Sequence, residues 1–137
     1  MTPTNGNQSE LMDGNPPPAG RRLRHRVMVE GKYVFGPGKA DVLAGICETG
    51  SLAATARRLG MSYMRAWTLV QEMNRMYAAP LVQMRRGGKT KGGAALTTAG
   101  ERALHLYRQM EAEALAATES AWKEFCGLLK PKGGNFG

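Results

Sequence analysis

From Ser51 to Met76 the apolar and polar positions follow a helical period in two runs separated by a glycine. Leu52, Ala56 and Leu59 share one face of a first helix, with Ser51 placed to cap it and Gly60 placed to end it in a left-handed conformation. Met61 completes the turn. Ser62 is placed to cap a second, longer helix, in which Ala66, Leu69, Val70, Met73 and Met76 recur at three- and four-residue spacing and form the predicted core face. The opposite face carries Tyr63, Met64, Arg65, Thr68, Gln71 and Arg75. Such side chains can hydrogen-bond base edges, touch thymine methyls and pair with phosphates, as a helix in a major groove must. An ordinary helical hairpin with a solvated face shows the same period, so the flanking segments have to decide.

Upstream, residues 23–35 alternate as a strand, with Glu30, Gly31 and Lys32 as a turn into a second short strand. Gly36-Pro37-Gly38 breaks the chain, and Val42, Leu43, Ile46 and Cys47 then define the buried face of a helix ending at Thr49-Gly50. Downstream, Pro80 opens an extended segment over 81–86, and Ala94-Ala95-Leu96 is its expected return strand. The connection between them, residues 87–93, is glycine-rich and basic. It is expected to act as a wing, with Lys89 and Lys91 neutralising phosphate.

Thr97 or Thr98 is placed to cap a long last helix, about 98–130, with Glu101 favouring its N-terminus and Pro131 stopping it. Ala103, Tyr107, Met110, Ala114, Ala117 and Ala121 follow a four-three spacing along it, extended by Phe125 and Leu128. A single buried amphipathic helix would show this stripe, but about six turns of it exceed what so small a core covers, which favours a homodimer seam. Residues 1–20, rich in Pro, Gly, Asn and Thr, are expected to form a disordered leader, and 131–137 a tail.

Charge sharpens this picture. The 137-residue chain has a formal net charge of +8 and 42% hydrophobic residues, a single domain's worth of soluble sequence. Its polyanionic partner is expected to be nucleic acid first and an anionic membrane surface second. Between residues 51 and 95 there are eight Lys/Arg, namely Arg57, Arg58, Arg65, Arg75, Arg85, Arg86, Lys89 and Lys91, against one acid, Glu72. The stretch 98–130 has four basic and five acidic residues, so the excess belongs to the helix-turn-helix and wing.

Other chemistries find little support. Cys47 and Cys126 form no C-x-x-C pair, and His25 and His105 are remote from both, so no metal site and no cofactor is expected. Reduced thiols and the lack of an apolar signal core or membrane span point to the cytoplasm. Gly88-Lys89-Thr90 mimics the end of a phosphate-binding loop, but position 83, where the first glycine belongs, is Gln83, and no helix follows.

The run Gly-Ser-Leu-Ala-Ala-Thr-Ala-Arg-Arg-Leu-Gly-Met-Ser-Tyr-Met-Arg-Ala-Trp, then Glu72-Met73-Asn74, the Gly-Gly-Lys-rich wing and Leu96-Thr97-Thr98-Ala99-Gly100 resemble the N-terminal DNA-binding domain of the ModE family of molybdate-responsive regulators. The resemblance covers residues 23–125, and the helix-turn-helix is more distantly similar to LysR-type regulators. It implies a mainly α fold with a small β component, a winged helix-turn-helix dimerised through its last helix. It also places Ser62, Tyr63, Met64, Arg65 and Thr68 on the recognition face and Arg86, Lys89 and Lys91 on the wing, while Trp67 is open to either a packing or a groove role, packing being favoured.

The family's oxyanion sensor is a separate C-terminal molybdate-binding domain, whereas this chain ends soon after the long helix. Direct molybdate sensing is therefore not expected, and an effector or partner protein stays unassigned. The reading is a sequence-specific, dimeric transcription regulator of double-stranded DNA without catalytic activity. Its alternatives are a small oxyanion-binding protein and a non-specific architectural DNA- or RNA-binding protein.

Overall fold

The computed structural model describes residues 20–85 and 93–130; the expected leader before Gly20, the wing tip and the tail over 131–137 lie outside them. The chain divides into two units, Arg24–Glu113 and a smaller one joining the segment up to Leu23 with that from Ala114 onward.

The larger unit is a winged helix-turn-helix, mainly α with a small β component. Strands β1 (Val27–Val29) and β2 (Lys32–Phe35) form an antiparallel hairpin. Its two turn residues, Glu30 and Gly31, both have positive φ, 50° and 81°, as a tight two-residue hairpin requires. Lys32, expected in that turn, is the first residue of β2.

Helix α1 (Pro37–Thr49) begins at Pro37, so the Gly-Pro-Gly triplet starts the helix instead of preceding it. Proline suits this position because its missing N–H would have no intrahelical partner there. Val42, Leu43 and Ile46 are buried as expected, but Cys47 is exposed. One residue past Ile46 is a rotation of about 100°, which carries it off the core face.

Helix α2 (Leu52–Leu59) is capped by Ser51 Oγ, which accepts from Ala54 N at 2.9 Å, and ends at Gly60 with φ 70°. Leu52 and Ala56 are buried and Leu59 partly so. Buried Thr55 donates to the Ser51 carbonyl at 2.8 Å and lies against Gly45, where a Cβ would come within 2.5 Å of Thr55 Cγ2. Only glycine at 45 lets α1 and α2 cross so closely.

Helix α3 (Tyr63–Met76) buries Ala66, Leu69, Val70 and Met73. Met76, expected on that face, is exposed because the helix ends there. Tyr77 ties the helix end down instead, its hydroxyl donating to the Val34 carbonyl at 2.7 Å. Strands β3 (Val82–Arg85) and β4 (Gly93–Leu96) then pair antiparallel, and Ala94 N donates to the Gly50 carbonyl at 3.0 Å.

Helix α4 (Thr98–Ala117) is capped by Thr97, whose Oγ1 accepts from Gly100 N at 3.0 Å and donates to the Pro80 carbonyl at 2.7 Å. Tyr107, assigned from spacing to an intersubunit seam, is instead only 1% exposed and belongs to the core of its own chain. Its ring stacks on His25 at 4.6 Å and meets Phe35 edge-on at 5.1 Å, and its hydroxyl donates to the His25 carbonyl at 2.8 Å.

In the smaller unit the single long helix of the sequence reading is interrupted. Thr118, at φ −101° and ψ 7°, separates the end of α4 from α5 (Glu119–Cys126). Its hydroxyl donates back to the Ala114 carbonyl at 2.7 Å, while Arg21 takes the Leu115 carbonyl at 3.0 Å, Thr118 Oγ1 at 3.1 Å and Glu119 at 3.1 Å. A side-chain donor on a helical carbonyl competes with the backbone donor that would continue the ladder. Trp122 stacks on Phe125, and the Arg21 guanidinium lies 5.3 Å from the Trp122 ring.

Burial, reinforced by Glu111 and Tyr33, raises the Tyr107 hydroxyl above its ordinary 10.0, and burial raises Tyr77 as well. The folded chain thus holds these protons more tightly than the unfolded chain. Their contribution is complete below about pH 10 and is lost as pH rises through the folded values. Tyr107→Phe is expected to cost about 1 kcal/mol at neutral pH by leaving a buried carbonyl unpaired, and to lessen the alkaline loss while Tyr77 maintains the remainder. Urea unfolding across the neutral and alkaline range measures both.

Candidate nucleic-acid interface

Ser62 starts α3 with its Oγ accepting from Arg65 N at 3.0 Å, and the four buried side chains fix the helix's rotation. At about 100° per residue, Met64, Thr68, Gln71 and Arg75 lie opposite the core. Tyr63, Trp67 and Asn74 form one flank; Arg65 and Glu72 form the other. Ser62, Tyr63, Met64, Arg65, Thr68 and Arg75 are exposed and Gln71 is half-buried, so the structure places the predicted recognition residues together on one accessible surface. Trp67, for which packing was the favoured of two roles, is 40% exposed on the surface, and the smaller Ala66 occupies the core-facing position beside it.

Asn74 joins this helix to the wing. Its Oδ1 accepts from Leu81 N at 2.8 Å and Val82 N at 3.0 Å, and its Nδ2 donates to the Val82 carbonyl at 2.9 Å. The start of β3 is therefore held by the recognition helix itself. Val82 is buried, whereas Gln83 and Arg85 share the outer face of the strand. Arg86, Lys89 and Lys91, the predicted wing cations, lie outside the described residues.

Electrostatics separate the remaining basic residues. Arg58 pairs with Glu48. Glu72, the one acid between residues 51 and 95, lies 3.8 Å from the ammonium of Lys39, whose side chain is 1% exposed and lies 4.5 Å from the Tyr33 ring. Arg57, Arg65, Arg75 and Arg85 are exposed and have no ion-pair or hydrogen-bond partner for their side chains among the described residues. Among the described basic residues of 51–95, these four guanidinium groups are free to meet phosphates or base edges. No grouping of three or more metal-ligating side chains occurs among the described residues, and no described helix is long and apolar enough to cross a membrane.

Residues 39–101, from the start of α1 to the start of α4, match the bacterial regulatory helix-turn-helix protein family of the lysR type. The molybdenum-pterin-binding protein MopB of Rhodobacter capsulatus is 44% identical over 93 residues, covering 68% of this chain and 34% of its own length. The transcriptional regulator ModE of Haemophilus influenzae is 39% identical over 75 residues (55% and 29%), and the DNA-binding transcriptional dual regulator ModE of Escherichia coli is 38% identical over 76 residues (56% and 29%). Residues 39–101 thus match a LysR-type helix-turn-helix domain, and the likeness to MopB and ModE is consistent with the DNA-binding domain of a ModE-type regulator. The chain spans about a third of the length of these curated relatives.

Trp67, Arg57 and Arg85 are surface residues that the sequence pattern does not assign to the DNA-facing set. The 3.6-residue period contained the signal for Trp67, since it falls between the buried positions 66 and 69–70 without sharing their face. For the arginines there was none, because Arg57 and Arg58 differ only in that Glu48 reaches one of them.

Asn74→Ala is expected to destabilise the domain by about 2 kcal/mol, since two strand N–H groups and one carbonyl lose their partner. Asn74→Asp, which keeps the acceptor for both N–H groups, is expected to recover part of that loss. Denaturant unfolding of the three proteins tests the ordering.

Proposed function

We propose that this protein is a sequence-specific transcription regulator that binds double-stranded DNA as a homodimer and has no catalytic activity. The observation that carries the reading is the exposed face of α3, where Arg65 and Arg75 have no partner among the described residues, on a helix whose rotation is fixed by the core and to which Asn74 ties the start of β3. An α-helix fits the major groove, and a rigid helix is what sequence readout needs. Ser62, Tyr63, Met64, Arg65, Thr68 and Gln71 are proposed to contact DNA from α3, and Arg86, Lys89 and Lys91 from the wing.

Dimerisation is proposed through the last helical segments. Leu106 and Met110 on α4, and Phe125 and Leu128 near the end of the described chain, are large apolar side chains left exposed in the single chain. Ala114, Ala117 and Ala121 complete the proposed seam; buried Tyr107 and Ala103, which packs against the core of its own chain, are left out of it. A two-fold dimer implies inverted half-sites. The cytoplasm is the proposed location.

Arg65→Ala is expected to relax base preference at one position in each half-site, by about 1 to 3 kcal/mol of discrimination. Lys89→Ala with Lys91→Ala is expected to weaken binding to all sequences in parallel and to lower the steepness of the log–log salt dependence by about two. Binding to a randomised duplex library at several salt concentrations reads both quantities. Equal competition by random DNA for the wild-type protein would replace this reading with a non-specific architectural one.

Met110→Glu places a charge in the proposed apolar seam and is expected to turn a sedimenting dimer into a monomer with its fold intact. A wild-type monomer at micromolar concentration would refute the seam.

A further inference from the structure

Three large apolar side chains crowd the first five residues of α3: Tyr63 is 44% exposed, Met64 61% and Trp67 40%. They adjoin one another at i, i+1 and i+4 on a helix whose core face is already complete with Ala66, Leu69, Val70 and Met73. Neither the Tyr63 hydroxyl nor the Trp67 indole N–H has a hydrogen-bond partner among the described residues. A contiguous apolar patch of this kind marks a binding surface, and here Arg65 and Arg75, unpaired among the described residues, accompany it on the same helix. The cations call for a polyanion, and the patch calls for apolar groups within it. In the major groove of DNA the apolar group that distinguishes one base pair from another is the thymine C5-methyl.

We propose that Tyr63, Met64 and Trp67 are specificity-determining residues that read thymine methyl groups, and that each half-site carries thymines beneath the first turns of α3. This rests on the DNA-binding reading above and adds to it what the sequence preference consists of. Tyr63 and Trp67 lie on the flank that bears Asn74, which is the wing side of the helix, whereas Arg65 lies on the opposite flank. The thymines read by the two rings are therefore on the wing side of the base read by Arg65. The indole N–H and phenol hydroxyl remain available to donate to acceptors on base edges or phosphates.

The experiment uses the full 137-residue chain and a duplex selected by it from a randomised library. Each thymine of the selected site is replaced singly by deoxyuridine, which removes the methyl and leaves every hydrogen-bonding group in place. Affinity is expected to fall about three- to tenfold at two or more positions per half-site, the worth of one buried methyl group each. With Trp67→Ala or Met64→Ala the thymine-to-deoxyuridine ratio at one of those positions is expected to shrink to less than about twofold, while the salt dependence stays that of the wild type. All three side chains are surface residues, and where an alanine variant fails to fold the same ratio is read with Met64→Gln or Trp67→Gln, which keep a long side chain but lose the apolar contact. Sequence-selective binding that is indifferent to every deoxyuridine overturns the methyl reading and leaves the regulator reading standing. A methyl dependence that survives all three single alanine variants overturns the assignment to these residues. Failure to select any site overturns the regulator reading and this proposal together.

Discussion

A single side-chain amide ties the start of β3 to α3. Asn74 imitates a strand edge, offering one oxygen to two successive backbone N–H groups and one N–H to a backbone carbonyl, so that α3 and β3 are joined as if they were neighbours in a sheet. Each such bond contributes only about 1 kcal/mol net, but leaving the buried groups unpaired costs more. Other constraints converge on the same few residues. Thr97 N donates to the Leu81 carbonyl and Thr97 Oγ1 to that of Pro80, and Gly100 packs so closely that a Cβ would lie 2.1 Å from the Leu81 oxygen. The recognition helix, wing and start of α4 therefore share residues 80–82 as a common anchor.

A second constraint is the buried Lys39. Taking an ammonium out of water is unfavourable unless it is compensated, and here the compensation comes from the Tyr33 ring and the Glu72 carboxylate. Glu72 is the sole acid of the helix-turn-helix and wing, and its charge is directed toward the interior partner. That leaves Arg57, Arg65, Arg75 and Arg85 without a neutralising neighbour among the described residues. The same ion pair that closes the end of α1 against α3 thus preserves the positive character of the surface.

Much of the helix-turn-helix was legible because its signals are local. Ser51, Gly60 and Ser62 act within three residues of themselves, and the period of Leu52, Ala56, Ala66, Leu69, Val70 and Met73 directly encodes the buried faces. The hairpins followed from alternation and glycine for the same reason. The misreadings have nonlocal causes. Thr118 interrupts the last helix with help from Arg21, 97 residues away in the chain, and no window on the helix contains that contact. Tyr107 fits a four-three seam by spacing, but the same spacing serves a contact with His25, just before β1, and Phe35, at the end of β2. Periodicity tells which side chains share a face, not which surface that face will meet.

The exposed start of α3 is best understood from what it forgoes. Fully burying a side chain the size of Met or Leu is worth about 1.5 to 3 kcal/mol, a large fraction of the stability of a small domain. The core of this domain closes over Ala66, at 0% exposure, and leaves its larger neighbour Trp67 outside, together with Tyr63 and Met64. Nothing in the described fold recovers that stabilisation, and the adjacent arginines keep the patch from being an ordinary apolar protein contact. Apolar area withheld from folding is available to binding, where its loss from water favours the complex. Apolar area and charge then contribute differently, the first by favouring partners that present apolar groups of matching shape and the second by drawing in a polyanion, so one short helical surface offers both selectivity and attraction.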